Sequence, residues 1–335
     1  MNNIDRRFSV APMMDWTDKH CRYLLRLMFP EALLYTEMVV TGAILYGERA
    51  RFLDFNAAEH PLALQLGGSD PAEMAACARI AQDWGYNEVN INVGCPSDRV
   101  QAGIFGACLM AQPQRVADCV RAMRDQVEIP VTVKCRLGID DMDDYDDLRR
   151  FVDHVAAAGC EVFIVHARKA WLQGLSPKEN REVPPLMYDN VYRLKRERTD
   201  LSITINGGIK TVDDCVEHLN HVDGVMIGRE VYNNPFALLD VRRQIFGATN
   251  LPSRVEIVER YIPYIESQLA NDVFLKYMTR PMLGLFQGMP GARHWRRYIC
   301  EQVCNKTAGI NVLHNALQIV LRNPEFVSSS TEVVS

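Results

Sequence analysis

Residues 88–99 read EVNINVGCPSDR, and this stretch sets the expected fold. β-Branched and polar residues alternate before the glycine, which is typical of a strand. The turn Gly94-Cys95-Pro96 then places a thiol at the carboxyl end of that strand, where parallel α/β enzymes keep their chemistry. A buried structural cysteine at a strand end is the alternative for this residue taken alone.

Eight β-rich segments recur along the chain, and amphipathic stretches typical of helices follow most of them. Such an alternation is connected by right-handed βαβ crossovers and forms a parallel sheet. Eight units in about 240 residues predict an α/β fold, a (β/α)8 TIM barrel. A doubly wound Rossmann sheet is the competing architecture, but the first strand lacks a Gly-x-Gly-x-x-Gly sequence, and no P-loop lysine motif occurs. The predicted strands are Phe8–Met14, Leu33–Val39, Leu62–Gly68, Glu88–Gly94, Val131–Gly138, Val162–Arg168, Ser202–Gly208 and Gly224–Arg229.

The pattern changes after residue 246. Residues Gly247–Ser253 read as a linker, and helical patterns without intervening strands follow it. We therefore expect a catalytic barrel over residues 1–246, a small C-terminal helical bundle over 247–326 and a disordered tail over 327–335. The predicted helices of the bundle lie near Val255–Leu269, Val273–Leu285, Arg293–Cys304 and Ile310–Leu321.

Composition indicates a globular protein of the cytoplasm. The chain has 335 residues, 48% of them hydrophobic, which is enough for a large core. Its start shows no apolar signal region, and no apolar run approaches the roughly 20 residues of a membrane span. None of the ten cysteines forms a Cys-x-x-Cys pair, and Cys300 and Cys304 have no second pair nearby that would complete a zinc site. We expect reduced thiols, no metal and a monomer.

Charge is unevenly distributed along the chain. The net charge of −5 argues against binding of nucleic acid. The stretch from Lys276 to Lys306, however, contains six basic residues and only one acidic residue. Acidic residues concentrate in Asp140–Asp147, which lacks the glycine and the final glutamate of a calcium-binding EF-hand loop. Because aspartate favours a helix N-terminus, a helix start is the better interpretation of that run.

Polar side chains collect at the predicted strand ends. Each one has a structural explanation by itself, since a buried glutamine, lysine or histidine can be satisfied by the core. Together they would be costly inside a barrel unless they faced a ligand, so we interpret the cluster as a site. The cluster contains Ala11, Pro12 and Met13 after strand one, Gln65 on strand three, Asn92 and Cys95 on strand four, Lys134 and Arg136 on strand five, and His166 and Arg168 on strand six.

Glycines at the ends of the last two strands indicate a phosphate site. Barrels frequently bind phosphate after strands seven and eight, where small residues let backbone amides approach. The relevant residues are Asn206, Gly207, Gly208, Gly228 and Arg229. A phosphate there, with Gln65 and Lys134 nearby, suits flavin mononucleotide (FMN), whose N1/C2=O edge Lys134 would approach.

These motifs resemble the tRNA-dihydrouridine synthase family over nearly the full chain, including the helical C-terminal domain. Within the family the chain resembles the bacterial A-type enzymes, to which Ala11–Asp18, Arg168–Leu172, Ser176–Arg181 and Leu283–Arg293 are similar. The general family motifs are Asn90–Pro96, Ala11-Pro12-Met13, Gln65, Lys134-Cys135-Arg136, Val165–Arg168, Asn206–Gly208 and Gly228-Arg229.

The resemblance implies that FMN, reduced by NADPH, saturates the C5=C6 bond of a tRNA uridine, at D-loop positions 20 and 20a for A-type enzymes. Hydride passes from flavin N5 to C6, and a proton must reach C5. A thiol is mostly protonated near neutral pH and can still release its proton, so Cys95 is expected to be the proton donor rather than a nucleophile. Asn92, Lys134 and His166 are the candidates to hold the uracil or the flavin.

A tRNA substrate implies further contacts. A uridine must be flipped out of folded RNA to enter a barrel. The loop Ser97–Gly106, with Arg99, is expected to close over the base and carry Cys95 with it. Arg293, Arg296 and Arg297 would bind phosphates, with Lys178 and Arg181 on a barrel loop opposite.

Two other function classes fit parts of the sequence. An FMN barrel of the dihydroorotate dehydrogenase type would place an acid–base group near a small pyrimidine, but it would not need a basic C-terminal domain. A non-catalytic RNA-binding or chaperone protein could keep the barrel as a scaffold, because fold alone does not establish catalysis.

Overall fold

The computed structural model describes residues 4–142 and 144–322, apart from the side chain of Arg99. Its eight strands form one parallel sheet. In this sheet β1 pairs with β8, and the pairing continues from β8 through β7, β6, β5, β4 and β3 to β2. They are β1 (Phe8–Val10), β2 (Leu34–Val40), β3 (Leu62–Gly67), β4 (Glu88–Val93), β5 (Val131–Arg136), β6 (Val162–His166), β7 (Ser202–Asn206) and β8 (Gly224–Ile227).

Leu33, immediately before β2, joins the two remaining edges of this sheet. Its N–H donates to the Phe8 carbonyl at 3.2 Å, and its own carbonyl accepts from Val10 N–H at 3.0 Å. Because β1 also pairs with β8, the sheet closes on itself, and the predicted eight-stranded barrel is confirmed. Most strands end one to four residues before their predicted ends, so the functional residues lie at or just beyond the last ladder bonds.

Helices alternate with the strands as predicted, and side-chain caps start several of them. Asp70 accepts from the backbone N–H of Glu73, and Asp144 from that of Asp147 at 2.8 Å, each satisfying an otherwise orphaned donor. The acidic run therefore does start a helix. The helices are α1 (Lys19–Met28), α2 (Thr41–Tyr46), α3 (Arg49–Leu53), α4 (Pro71–Trp84), α5 (Asp98–Ala102), α6 (Pro113–Arg124), α7 (Tyr145–Ala157), α8 (Tyr188–Glu197), α9 (Val212–Leu219), α10 (Arg229–Asn233), α11 (Val241–Phe246), α12 (Arg254–Leu269), α13 (Leu275–Thr279), α14 (Ala292–Gln302) and α15 (Asn311–Leu321).

The described chain divides into two compact units. The first consists of the residues up to Lys19 and Ala32–Gly228, and it carries all eight strands. The second combines His20–Glu31 with the residues from Arg229 onward. This division falls before the expected linker at Gly247–Ser253 and adds a segment from near the chain start. The functional boundary at residue 246 stays a prediction.

The second unit is helical and has its own aromatic core. The Tyr264 hydroxyl lies 2.8 Å from His20 Nδ1, and the Tyr23 ring stacks on the Tyr264 ring with centroids 4.0 Å apart. Trp295 is fully buried and donates to the Met282 carbonyl at 3.1 Å, so it packs inside the unit. None of the described helices has the length and apolar character needed to cross a membrane. Asp143 and the tail over 327–335 lie outside the described residues.

Candidate active site

Cys95 lies two residues beyond β4, and Asn92 shapes the turn that carries it. Asn92 Oδ1 accepts from the backbone N–H groups of Gly94 at 3.1 Å and Cys95 at 2.9 Å. The Cys95 side chain is half-buried, and its Sγ lies 3.6 Å from the Ser97 hydroxyl oxygen. The thiol is therefore held at the carboxyl end of the barrel and is partly open to a ligand.

Arg136, at the end of β5, holds the same turn from the neighbouring strand. Its guanidinium donates to the carbonyls of Gly94 at 2.9 Å, Lys169 at 3.0 Å and Asn180 at 2.9 Å. Burial lowers its pKa to about 10. Since three carbonyls orient it, Arg136 is a fixed cation below the cysteine turn, a role that no local sequence pattern indicated.

Lys134 and Asn206 meet across the barrel interior. Lys134 Nζ donates to Asn206 Oδ1 at 3.0 Å, and Asn206 Nδ2 donates to the Met226 carbonyl at 2.7 Å. Loss of hydration and the nearby Arg136 guanidinium lower the pKa of Lys134 from its ordinary 10.5 to about 8. Strands β5 and β7 thus bring together Lys134 and Asn206, two residues that the sequence analysis assigned to one cofactor site.

His166, at the end of β6, has an unsatisfied polar atom. Its Nδ1 is buried and has no hydrogen-bond partner among the described residues. Burial and the positive charges of Arg136 and Lys134 lower its pKa well below the ordinary histidine value. A neutral imidazole with a free ring nitrogen can donate to or accept from a ligand, according to its tautomer.

The glycine turns after β7 and β8 contain backbone N–H groups that can donate to a ligand. Gly207 and Gly208 have φ values of 111° and 75°, which only glycine adopts without strain. Within the described chain, the N–H groups of Gly207, Gly208 and Gly228 donate to no protein acceptor. Three such donors at neighbouring strand ends are suited to an anion.

Neither backbone conformation nor packing requires a glycine at position 228. An added Cβ would lie 3.8 Å from Met13 Sδ and 3.9 Å from Ala11 Cβ, which is ordinary contact distance, and its φ is not positive. The residues after β1 therefore do approach those after β8, with Pro12 between Ala11 and Met13. Room for a methyl group beside unpaired amides fits the close approach of a ligand phosphate. Arg229 belongs to the second unit, so its part in this site stays a prediction.

The loop after Cys95 is anchored at several points. The Cys95 carbonyl accepts from Ala107 N–H at 2.9 Å, and Gln101 Nε2 donates to the carbonyls of Pro96 and Leu172, both at 2.8 Å. Gly106 has a φ of 76°, and a Cβ there would lie 2.5 Å from the Cys95 carbonyl oxygen. The closing motion of residues 97–106 stays a prediction. Arg99 is on α5, but its side chain lies outside the described residues.

Sequence reasoning missed the residues that build the loop after β6. Asn180 is fully buried, and its side chain accepts from Trp171 N–H at 2.8 Å and donates to the Trp171 carbonyl at 2.9 Å. Asp140, in the acidic run, accepts from Leu172 N–H at 2.9 Å. These bonds order a loop on which Lys178 and Arg181 are both exposed.

The proposed phosphate-binding arginines lie on α14. Arg293 and Arg297 are exposed and Arg296 is half-buried, while Trp295 and Ile299 face the interior. Arg297 pairs with Glu301 at 2.8 Å, and Arg296 donates to Gln287 at 2.5 Å. No group of three or more histidine, cysteine or acidic residues within the described chain could hold a metal ion.

The chain is similar to known proteins over nearly its whole length. The family model for dihydrouridine synthase matches residues 9–321. The tRNA-dihydrouridine(20/20a) synthase of Vibrio vulnificus is 60% identical over 313 residues, covering 93% of this chain and 96% of that protein. The enzyme of the same name from Escherichia coli K12 is 59% identical over 316 residues, covering 94% and 91%.

A solved structure of a complex of 2-naphthoyl-CoA reductase shares the fold. Its TM-score is 0.52 at 12% identity, covering 70% of this chain and about half (49%) of that chain. This likeness concerns the fold alone. The family match spans nearly the whole sequence, and relatives of almost equal length are about 60% identical to it. The chain therefore belongs to the dihydrouridine synthase family.

Proposed function

We propose that this protein uses FMN and NADPH to reduce uridines 20 and 20a of tRNA to 5,6-dihydrouridine. Dihydrouridine synthases are flavin-dependent oxidoreductases, and the relatives above are named for these two positions. The observation that carries the proposal is the half-buried Cys95 thiol at the barrel mouth, beside Lys134, His166 and three unpaired backbone amides.

The residues around the barrel mouth fit FMN. The unpaired amides of Gly207, Gly208 and Gly228 suit its phosphate, together with Arg229. His166 offers an unsatisfied nitrogen, and Lys134 a positive charge that its low pKa makes sensitive to a bound anion. The remaining FMN-binding residues in this proposal are Ala11, Pro12, Met13, Gln65 and Asn206. When bound, FMN supplies the hydride that adds to C6 of uracil.

Cys95 supplies the proton that completes the reduction at C5. The Arg136 guanidinium donates to the Gly94 carbonyl at 2.9 Å, so a cation lies beside the turn that carries this thiol. A proton from solvent then restores the thiol. Asn92 positions the cysteine turn through its Oδ1, while one of its two amide N–H groups, uncommitted within the described chain, can donate to the uracil edge.

Binding of tRNA requires the uridine to leave its stack and positive charge to hold the surrounding phosphates. Arg293, Arg296 and Arg297 on α14 supply that charge in the helical unit. Lys178 and Arg181 supply it on the barrel, together with Arg99. We further propose that the protein acts as a monomer in the cytoplasm.

Single-turnover oxidation of the flavin tests this proposal. Protein reduced with NADPH is mixed with an unmodified tRNA transcript, and the return of oxidised-flavin absorbance is followed. We expect rapid oxidation and dihydrouridine at positions 20 and 20a. Loss of a general acid typically costs 10²–10⁴-fold, so Cys95→Ala should slow oxidation by about a hundredfold or more.

Cys108→Ala is the matched control, because Cys108 is also half-buried and lies in the short helix Gly106–Ala111 that follows the same loop. It should oxidise at the wild-type rate. Oxidation by orotate but not by tRNA would favour a small-molecule dehydrogenase. Failure to bind added FMN would favour a non-catalytic RNA-binding barrel.

A further inference from the structure

An unbroken chain of side-chain hydrogen bonds runs through the barrel interior below the active site. It begins at Glu88, which is fully buried and pairs with Arg6 at 2.5 Å. Glu88 Oε1 accepts from the Thr132 hydroxyl at 2.6 Å and from the Tyr35 hydroxyl at 2.8 Å. The Thr132 hydroxyl in turn accepts from Asn90 Nδ2 at 2.9 Å.

The chain continues upward to the residues that shape the cysteine turn. Gln65 Nε2 donates to Asn90 Oδ1 at 2.8 Å, and Asn92 Nδ2 donates to Gln65 Oε1 at 2.8 Å. Asn92 Oδ1 accepts from the Gly94 and Cys95 N–H groups. Five side chains from three adjacent strands thus connect Arg6, which precedes β1, to the backbone of Cys95. They are Glu88, Thr132, Asn90, Gln65 and Asn92.

The direction of this chain follows from chemistry. An ionised carboxylate can only accept, so the single hydroxyl proton of Thr132 must point to Glu88. The Thr132 oxygen can then only accept from Asn90, which turns the Asn90 carbonyl toward Gln65. The same reasoning turns the Gln65 carbonyl toward Asn92 and the Asn92 carbonyl toward the cysteine turn. No amide can flip without leaving a buried polar group unsatisfied.

Burying these polar side chains in the barrel interior costs stability, which indicates a role other than holding the fold together. Asn90, Thr132 and Gln65 are almost completely buried at positions that a barrel ordinarily fills with branched apolar residues. Buried polar atoms are tolerated when they are hydrogen-bonded, and here each side-chain nitrogen and oxygen of these three residues makes at least one hydrogen bond. Gln65 and Asn92 each keep one amide N–H that no described residue accepts, so the chain also decides what these two side chains offer to a ligand.

We propose that Glu88, Thr132 and Asn90 are positioning residues, which fix the amide orientations of Gln65 and Asn92 and through them hold Cys95. The consequence for catalysis rests on the function proposed above. The consequence for the structure does not, because the Gly94 and Cys95 amides report directly on the orientation of Asn92.

Hydrogen–deuterium exchange of the Gly94 and Cys95 amides in the FMN-free protein tests the proposal. Thr132→Val keeps the side-chain shape but removes both bonds of the hydroxyl, and we expect about tenfold faster exchange at these two amides. Thr132→Ser retains the hydroxyl and should restore slow exchange. Thr204→Val is the matched control, because Thr204 is buried on β7 and lies outside the chain of bonds.

Glu88→Gln tests the direction separately. A carboxamide can donate as well as accept, so the amides above it lose their imposed orientation, and exchange at Gly94 and Cys95 should again rise. Tyr35→Phe removes one bond to Glu88 without changing the direction, and exchange should stay slow. Wild-type exchange in both Thr132→Val and Glu88→Gln would overturn the proposal, as would equal acceleration throughout β4 and β7. If Thr132→Val does not fold, Thr132→Ala serves in its place.

A kinetic measurement separates this proposal from the function itself. At saturating tRNA, the reduced flavin of the Thr132→Val variant should be oxidised by tRNA about tenfold more slowly than that of the wild type. Reduction of the flavin by NADPH should stay near the wild-type rate. If wild-type protein is not oxidised by tRNA at all, the proposed function fails and the exchange result still decides the positioning role. Unequal exchange with equal oxidation rates would overturn the catalytic part.

Discussion

Lys134 shows how the barrel changes the chemistry of a single side chain. Its ammonium loses hydration and faces the Arg136 guanidinium, and the acceptor that it finds, Asn206 Oδ1, is uncharged. A charge in such a place destabilises the empty protein and becomes useful when an anion arrives. The residue is therefore better suited to a ligand than to the stability of the fold.

This leads to a pH dependence of stability. Because the pKa of Lys134 is about 8 in the native protein and 10.5 ordinarily, the unfolded chain binds more protons between these values. The free energy of unfolding of the FMN-free protein should therefore rise with pH across that interval through this residue. The rise should be smaller in Lys134→Met, measured by denaturant titration at several pH values. Parallel curves would show that Lys134 is not perturbed.

Gly228 and Gly208 make a matched pair at the same barrel mouth. At Gly228 the protein has room for a Cβ, so Gly228→Ala should change the unfolding free energy by less than about 0.5 kcal/mol and still reduce FMN retention. At Gly208 a Cβ would lie 2.5 Å from Leu186 Cδ1 at a φ of 75°, so Gly208→Ala should destabilise the protein itself. Flavin content and chemical unfolding of both variants check this. Full FMN retention in Gly228→Ala would exclude it from the phosphate site.

At the scale of elements, Arg136 at the end of β5 joins parts that follow β4 and β6. Its three carbonyl partners belong to the turn after β4, the loop after β6 and the short helix Glu179–Arg181. Lysine has the charge but lacks the planar fork that reaches several acceptors at once. The cysteine turn and the loop carrying Lys178 and Arg181 are thus ordered by one side chain.

Arg136→Lys should lower the free energy of unfolding by about 2–3 kcal/mol, since lysine cannot replace at least two of the bonds to buried carbonyls. Arg150→Lys, on the exposed face of α7, is the control and should have an effect within about 0.5 kcal/mol. Denaturant titration of both variants gives the comparison. Equal stabilities would mean that the three carbonyls find other donors.

Sequence predicted the elements better than the connections between them. Helix α4 (Pro71–Trp84) illustrates this, because its cap at Asp70 and its apolar spacing are local signals. The roles of Gln101 and Arg136 depend on backbone carbonyls that are distant in sequence, so no local pattern predicts them. The contact between Lys134 and Asn206 was predictable, because parallel strands place their carboxyl ends on one face.

At the scale of the whole molecule, the chain has a net charge of −5, but its positive charges are concentrated locally, as on helix α14. Helix α14 presents arginines outward from a buried Trp295, and Glu301 near its end offsets the charge of Arg297. In the proposed tRNA complex this surface would neutralise phosphates and release their counterions, so we expect binding to depend on salt.

Replacing Arg293, Arg296 and Arg297 together with alanine should weaken tRNA binding and make its logarithmic salt dependence shallower, by about 0.7–0.9 for each phosphate that the helix no longer neutralises. Because Glu301 already pairs with Arg297, Arg297→Ala alone should lower the affinity for tRNA less than Arg293→Ala alone. Filter binding at several salt concentrations measures both effects. Arg79→Ala with Arg121→Ala, on exposed helices of the barrel, is the control. An unchanged salt slope in the triple variant would remove α14 from the tRNA interface.

The segment His20–Glu31 belongs to the same compact unit as the residues from Arg229 onward, and Tyr261 donates to the His20 carbonyl at 2.9 Å. On the ribosome, this segment emerges long before its packing partners. Leu24, Leu25 and Met28, which are buried in the folded protein, therefore emerge before Ala32–Gly228 is translated. A nascent chain of this protein therefore passes through an interval in which this segment has emerged and the rest of its compact unit has not yet been made.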